Sequence, residues 1–156
     1  MKLTTGICFT LCLACATNVA ARAADLFYIG TWKFSGAVAA PWTDSKQKPN
    51  GADKAQLLGK SVIVSAKKIT GPVPIACAAP HYKISDYPAD MIFQGAFGEM
   101  QSKDKMVDPT SMAGSLGFSG NRVKTLETGC GIDFHFVDAT TAEIGLNDTV
   151  YTLKKQ

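Results

Sequence analysis

Residues 132–154 carry three short runs of alternating apolar and polar side chains, and no other stretch constrains the fold as much. In the first, Ile132, Phe134 and Phe136 alternate with Asp133 and His135. In the second, Ala142, Ile144 and Leu146 share one side; in the third, Tyr151 and Leu153 do. A period of two is that of a half-buried strand. Asp138-Ala139-Thr140-Thr141 and Asn147-Asp148 supply the turns between the runs. Three short strands joined this way form an antiparallel meander, and the rest of the chain must cover its apolar face.

The N-terminus reads as a secretory signal. Met1-Lys2 is a short positive start, residues 7–16 are largely apolar, and Ala21-Arg22-Ala23 is an Ala-x-Ala site, with cleavage expected before Ala24. The run is too short to span a bilayer, which takes about 20 apolar residues. A lipoprotein signal fits poorly, because Cys12 stands where the motif before Cys15 wants leucine. Residues 1–23 are therefore expected to be removed, leaving 24–156 as a single β-rich domain, periplasmic or secreted, and not an integral membrane protein.

Removing that segment changes the charge and cysteine arguments. Lys2 and Arg22 leave with it, so fourteen basic residues face thirteen acidic ones. A balance so near neutral points to no nucleic-acid partner. Of five cysteines only Cys77 and Cys130 remain, an even pair in an exported chain, which favours a disulfide. Closing the loop 77–130 would contribute about 4 kcal/mol in the chain-entropy description.

Residues 26–38 form the first mature strand candidate, with Gly30, Trp32 and Phe34 on one face. The segment Gly30-Thr31-Trp32 resembles the Gly-x-Trp signature of lipocalins. That resemblance implies a small calycin-like barrel in which the tryptophan closes one end. It also implies a basic residue late in the chain packing across the ring, a part Lys154 would take where the family has arginine. Residues 39–59 read as a loop holding Trp42 and the turn signal Pro49-Asn50-Gly51. Residues 61–69 read as a second strand, and residues 82–85 as a short one.

The pattern changes at Asp86. Phe93, Ala96, Phe97 and Met100 fall at helical spacing, weakened by Gly95 and Gly98. Asp108-Pro109 opens a second short helix, and Gly117 closes it. Residues 86–117 thus form a helical insertion. The fold expected is α+β and mainly β: an antiparallel barrel or curved sheet of six to eight strands with that insertion.

Chemistry is sparse. Cys77 with His81 and Cys130 with His135 have the composition of a metal or haem site, but export favours oxidised thiols over ligation. His135 alternates away from Phe134 and Phe136 and reads as an outward residue; His81, after Pro80, reads as a loop residue. No nucleophile, phosphate-binding or dinucleotide motif occurs, so no cofactor is expected and catalysis is disfavoured. The leading expectation is a non-catalytic envelope protein that binds a small apolar or amphipathic ligand inside or at the mouth of the barrel. Trp32, Phe34, Trp42 and Tyr151 are its candidate contacts. The alternatives are an interaction or inhibitor module facing another envelope protein, and a metal- or haem-binding protein using His81 and His135.

Overall fold

The computed structural model describes residues 26–43 and 51–156. The signal-peptide reading of residues 1–23 falls outside them, as does Pro49-Asn50. Eight strands form one antiparallel sheet: β1 (Gly30–Ala39), β2 (Ser61–Val64), β3 (Ile69–Thr70), β4 (Lys83–Tyr87), β5 (Val123–Glu127), β6 (Phe134–Asp138), β7 (Thr141–Leu146) and β8 (Thr149–Lys155). Their order is β3-β2-β1-β8-β7-β6-β5-β4. Sequence neighbours pair throughout, except that β1 pairs with β8 and leaves β3 and β4 as the two edges. The sheet is curled into a half-barrel, the mainly β architecture expected, with eight strands.

Alternation gives this sheet two buried faces. Trp32, Phe34, Val62, Val64, Leu126, Phe134, Phe136, Ala142, Ile144, Tyr151 and Leu153 pack together inside the curl. Trp32 and Tyr151 are fully buried, and the Trp32 ring N–H donates to the Tyr28 carbonyl at 2.8 Å. The basic residue over Trp32 is Lys155, with its ammonium 5.5 Å from the ring centroid, and not Lys154. Trp32 pairs with Lys155 in the β1–β8 register. Lys155 shares the face of Tyr151 and Leu153, while Lys154 points away and donates to Thr141.

Four boundaries differ from the sequence reading, the first being the start of β1 at Gly30 and not at residue 26. Residues 61–69 are not one strand but the hairpin β2–β3, turned where Ser65 bonds the Lys68 carbonyl through both its N–H and its hydroxyl. The loop reading of 39–59 misses α1 (Gly51–Leu57), whose residues 54–57 are good helix formers and which buries Leu57. Extended structure before the helices continues to Tyr87 because β4 pairs with β5 over its whole length.

The insertion follows as a single 3-10 turn (Ala89–Met91), α2 (Ile92–Lys103) and α3 (Pro109–Ser115). In α3 the expected caps are present: Asp108 accepts from the Thr110 and Ser111 N–H groups, Pro109 takes the first turn, and Gly117 has φ 93°. α2 departs from expectation. Phe93, Gln94 and Gly95 have φ of 51°, 55° and 81°, a left-handed turn, so Phe93 is not on the face of a regular helix. Gly98 is more than a weak helix former: a Cβ there would lie 2.9 Å from the Asp90 carbonyl oxygen. Phe93, Phe97, Ala113 and Phe118 form a second core with Val123 and Val150 on the outer face of the sheet.

Cys77 and Cys130 form a disulfide, with Cα atoms 6.1 Å apart. Cys77 bonds Ile69 of β3 through both its backbone groups, and Cys130 lies in the β5–β6 turn beside β4. The disulfide thus joins the two edges of the curl, where the Tyr82 hydroxyl also donates to the Ser65 carbonyl at 2.8 Å. Cys77→Ser should lower unfolding stability by about 4 kcal/mol. Cys77→Ser/Cys130→Ser should be no less stable than either single variant, as read from denaturant unfolding midpoints.

Candidate functional site

The sequence candidates for ligand contact divide between the two cores. Trp32, Phe34 and Tyr151 fill the inside of the curl, where the Phe34 and Tyr151 rings meet edge to face at 5.8 Å. Trp42 lies on the outer face. Its ring packs on Phe93 and Phe97 at centroid distances of 5.2 and 6.0 Å, and its N–H donates to the Asn147 carbonyl at 2.9 Å. Gly145 makes room for it: a Cβ there would be 3.0 Å from Phe93 and 3.2 Å from Trp42. None of these four residues lines either of the cavities that follow.

The larger cavity, about 450 Å³, opens at the end of the curl where β1 begins. The strand registers build it. Asp86 pairs with Lys124, and Lys124 pairs with Phe136, so the three stand in a row across β4, β5 and β6 on the inner face. The Phe27 ring packs edge-on to Phe136 at 4.7 Å, and Phe136 leans on Trp32 at 5.6 Å. The floor of this cavity is therefore the end of the inner core. Arg122, Lys124, Asp86 and Asp138 stand around it, with Ser119, Val137 and Ala139. Lys124 and Asp86 form an exposed ion pair at 3.4 Å. Arg122 donates to the Asp86 backbone carbonyl. Asp138 accepts from the N–H and hydroxyl of Thr140 in the β6–β7 turn, which hold its carboxyl below the usual range.

A smaller cavity of about 270 Å³ lies on the outer face under the left-handed turn of α2. Tyr87, Met91, Gln94, Gly95, Glu127, Asp133 and His135 bound it. His135 does alternate away from Phe134 and Phe136, but α2 covers that face, so it is buried rather than outward. Its Nε2 accepts the Phe93 N–H at 3.1 Å, which leaves the ring proton on Nδ1, 2.9 Å from the Thr125 hydroxyl. Burial pulls its pKa down to about 3, so the ring is neutral. Hydrogen bonds from the Ser85 and Tyr87 hydroxyls, and then the Lys83 ammonium, hold Glu127 down to about 2. Burial raises Asp133, which accepts from Thr128 and Gln94. His135 and Asp133 hold α2 and the β5–β6 turn against the sheet, and Glu127 ties β5 to β4. His81 is exposed in the loop before β4, away from His135, and the described residues include no group of three His, Cys, Asp or Glu placed to hold a metal.

Sequence reasoning missed Phe27, Arg122 and Lys124. Phe136 was legible as core. Lys124 could have been found, since it lies two residues from Leu126 on the same strand face. Compared with protein-family models, with curated proteins and with solved structures, the chain has no significant match.

The outer face also carries a polar row, buried at Thr125, His135 and Glu143: Ser85, Thr125, His135, Glu143 and Thr152 occupy successive partner positions on β4 to β8. The Thr152 hydroxyl donates to Glu143 at 3.0 Å, and burial raises that carboxyl to about 7 from an ordinary 4.5. The Glu143 contribution to stability is complete below pH 4.5 and is lost as pH rises to about 7. The His135 contribution is complete above its ordinary 6.5 and is lost as pH falls toward 3. Stability from these two groups should therefore be level between pH 4.5 and 6.5. Glu143→Gln should match the parent at acid pH and exceed it by roughly 3 kcal/mol at pH ~8, as read from urea unfolding across pH.

Proposed function

We propose that this chain is an exported, non-catalytic envelope protein that holds a small apolar or amphipathic ligand at one end of its curled sheet. The observation that carries this reading is the 450 Å³ cavity with an aromatic floor and a charged rim. Its volume falls within the ~300–1,000 Å³ of small-molecule sites, which are largely apolar with a few polar groups that fix orientation. The inside of the curl is filled by Trp32, Phe34, Phe134, Tyr151 and Leu153, so the ligand belongs at the mouth and not in an interior tunnel. The outer-face cavity is the weaker candidate, being smaller and having its polar groups already paired within the protein.

Export is supported by the disulfide and by the signal-like N-terminus. Among the described residues no helix is long and apolar enough to cross a membrane. N-terminal sequencing of protein from the envelope fraction should begin at Ala24 or within a few residues of it; an intact Met1 would remove the localisation argument.

Binding is tested with a neutral fluorescent naphthylamine dye and with native mass spectrometry of envelope-derived protein. The parent should bind the dye and carry a low-mass adduct. Ala139→Trp, at an exposed rim position, should fill the cavity and weaken dye binding by about tenfold or more, with little change in unfolding midpoint. A parent that binds no dye, carries no adduct and retains a protein partner would overturn the reading in favour of an interaction module.

A further inference from the structure

We infer that the ligand of this mouth is an anionic amphiphile, its head group taken by Arg122 with Lys124 beside it and its apolar chain laid against Phe27 and Phe136. The inference rests on the proposed binding role and names the ligand class.

Charge accounting around the cavity carries it. Four charged residues line the opening: Arg122, Lys124, Asp86 and Asp138. Asp138 accepts from Thr140 within its own turn and lies in the field of the Lys154 ammonium. Asp86 gives its carboxylate to Lys124. Arg122 donates to the backbone carbonyl of Asp86, and among the described residues no carboxylate lies within ion-pair distance of it. Its guanidinium thus stands exposed at the charged rim of the cavity with no carboxylate partner. Such a fork matches the two oxygens of a carboxylate or phosphate. Arg122 and Lys124 leave the chain two residues apart, on the same side of an extended segment, so one head group can meet both.

The alternatives lose on the same ground. A cationic amphiphile would bring its charge to two cations and find both carboxylates already engaged. A neutral one would cover Arg122 without compensating it, at a desolvation cost that an anionic head avoids. The apolar part has a defined place, because Phe27 and Phe136 form the floor and Val137 and Ala139 stand at the side.

Displacement of the neutral dye by decanoate, decyl phosphate, decanol and decylamine tests the inference on the full mature protein. Decanoate or decyl phosphate should displace the dye at concentrations about tenfold or more below those needed for decanol and decylamine. The better of the two identifies the head group. The advantage should shrink as salt rises from ~0.05 to ~0.5 M. Arg122→Gln should bring the anionic compounds to the level of decanol, each read against the variant's own dye affinity, and Arg122→Lys should recover part of the difference. If the dye binds and Ala139→Trp blocks it, yet anionic and neutral compounds compete equally or Arg122→Gln changes nothing, the head-group inference fails and the binding role stands. If neither dye nor any decyl compound binds the parent, the binding role fails and takes the inference with it.

Discussion

The pairing of β1 with β8 is the constraint on which the rest of this fold depends. A meander of β4 to β8 alone would present one flat apolar face to water. Zipping β1 along β8 brings Trp32 and Phe34 over Leu153 and Tyr151 and carries β2 and β3 with it. The pairing is irregular between Phe34 and Gly36, where the register shifts by one residue. A bulge of this kind increases local twist and helps a sheet curl. Lys155 and Trp32 sit opposite each other at one end of the pairing, and Ala39 and Thr149 at the other. What remains open is the gap between β3 and β4, which the disulfide and Tyr82 span.

The outer face depends on a different balance. Phe93 and Gln94 adopt left-handed backbone angles that cost an L-residue roughly 1–2 kcal/mol each. The turn is held because the Phe93 N–H reaches His135, and because its ring packs against Phe97, Phe118, Trp42 and His135. A buried polar row under a helical layer is expensive unless its members find partners. Thr125 serves His135 and Thr152 serves Glu143, and His135 ties the row to the helical insertion by accepting the Phe93 N–H.

These two layers explain why the proposed site is at the mouth. The inside of the curl is too well packed to admit a ligand, and the polar atoms of the outer cavity already hold structure together. At the end of the curl the inner face runs out: Phe136 is its last large apolar residue on β6, and the charged residues of β4 and β5 begin beside it. Apolar and charged surfaces meet there because strand alternation places Lys124 on the same face as Leu126.

Much of this was legible locally. Period-two alternation in residues 132–154 named three strands and the faces of Phe134, Phe136, Tyr151 and Leu153, because side-chain direction in a strand is a local property. Asp108-Pro109 and Gly117 marked α3, because caps satisfy backbone groups within one turn. The cysteine pair was readable by elimination. The same alternation puts Lys155 on the face of Tyr151, so the expectation of Lys154 over Trp32 ran against the strand's own period. Other features depend on groups distant in the chain. The left-handed turn at Phe93 needs the His135 acceptor 42 residues on, and the burial of His135 needs α2 above it. Gly98 and Gly145 owe their necessity to Asp90, Phe93 and Trp42. The mouth joins Phe27, Arg122 and Phe136, which meet only after β1 closes on β8. The sequence by itself determined most strands and the α3 caps, since these follow from local geometry, and it left one cysteine pair once residues 1–23 are taken as removed. Which face was covered, and where a cavity survived, only the tertiary structure decided, since both depend on how residues far apart in the chain fill the same space.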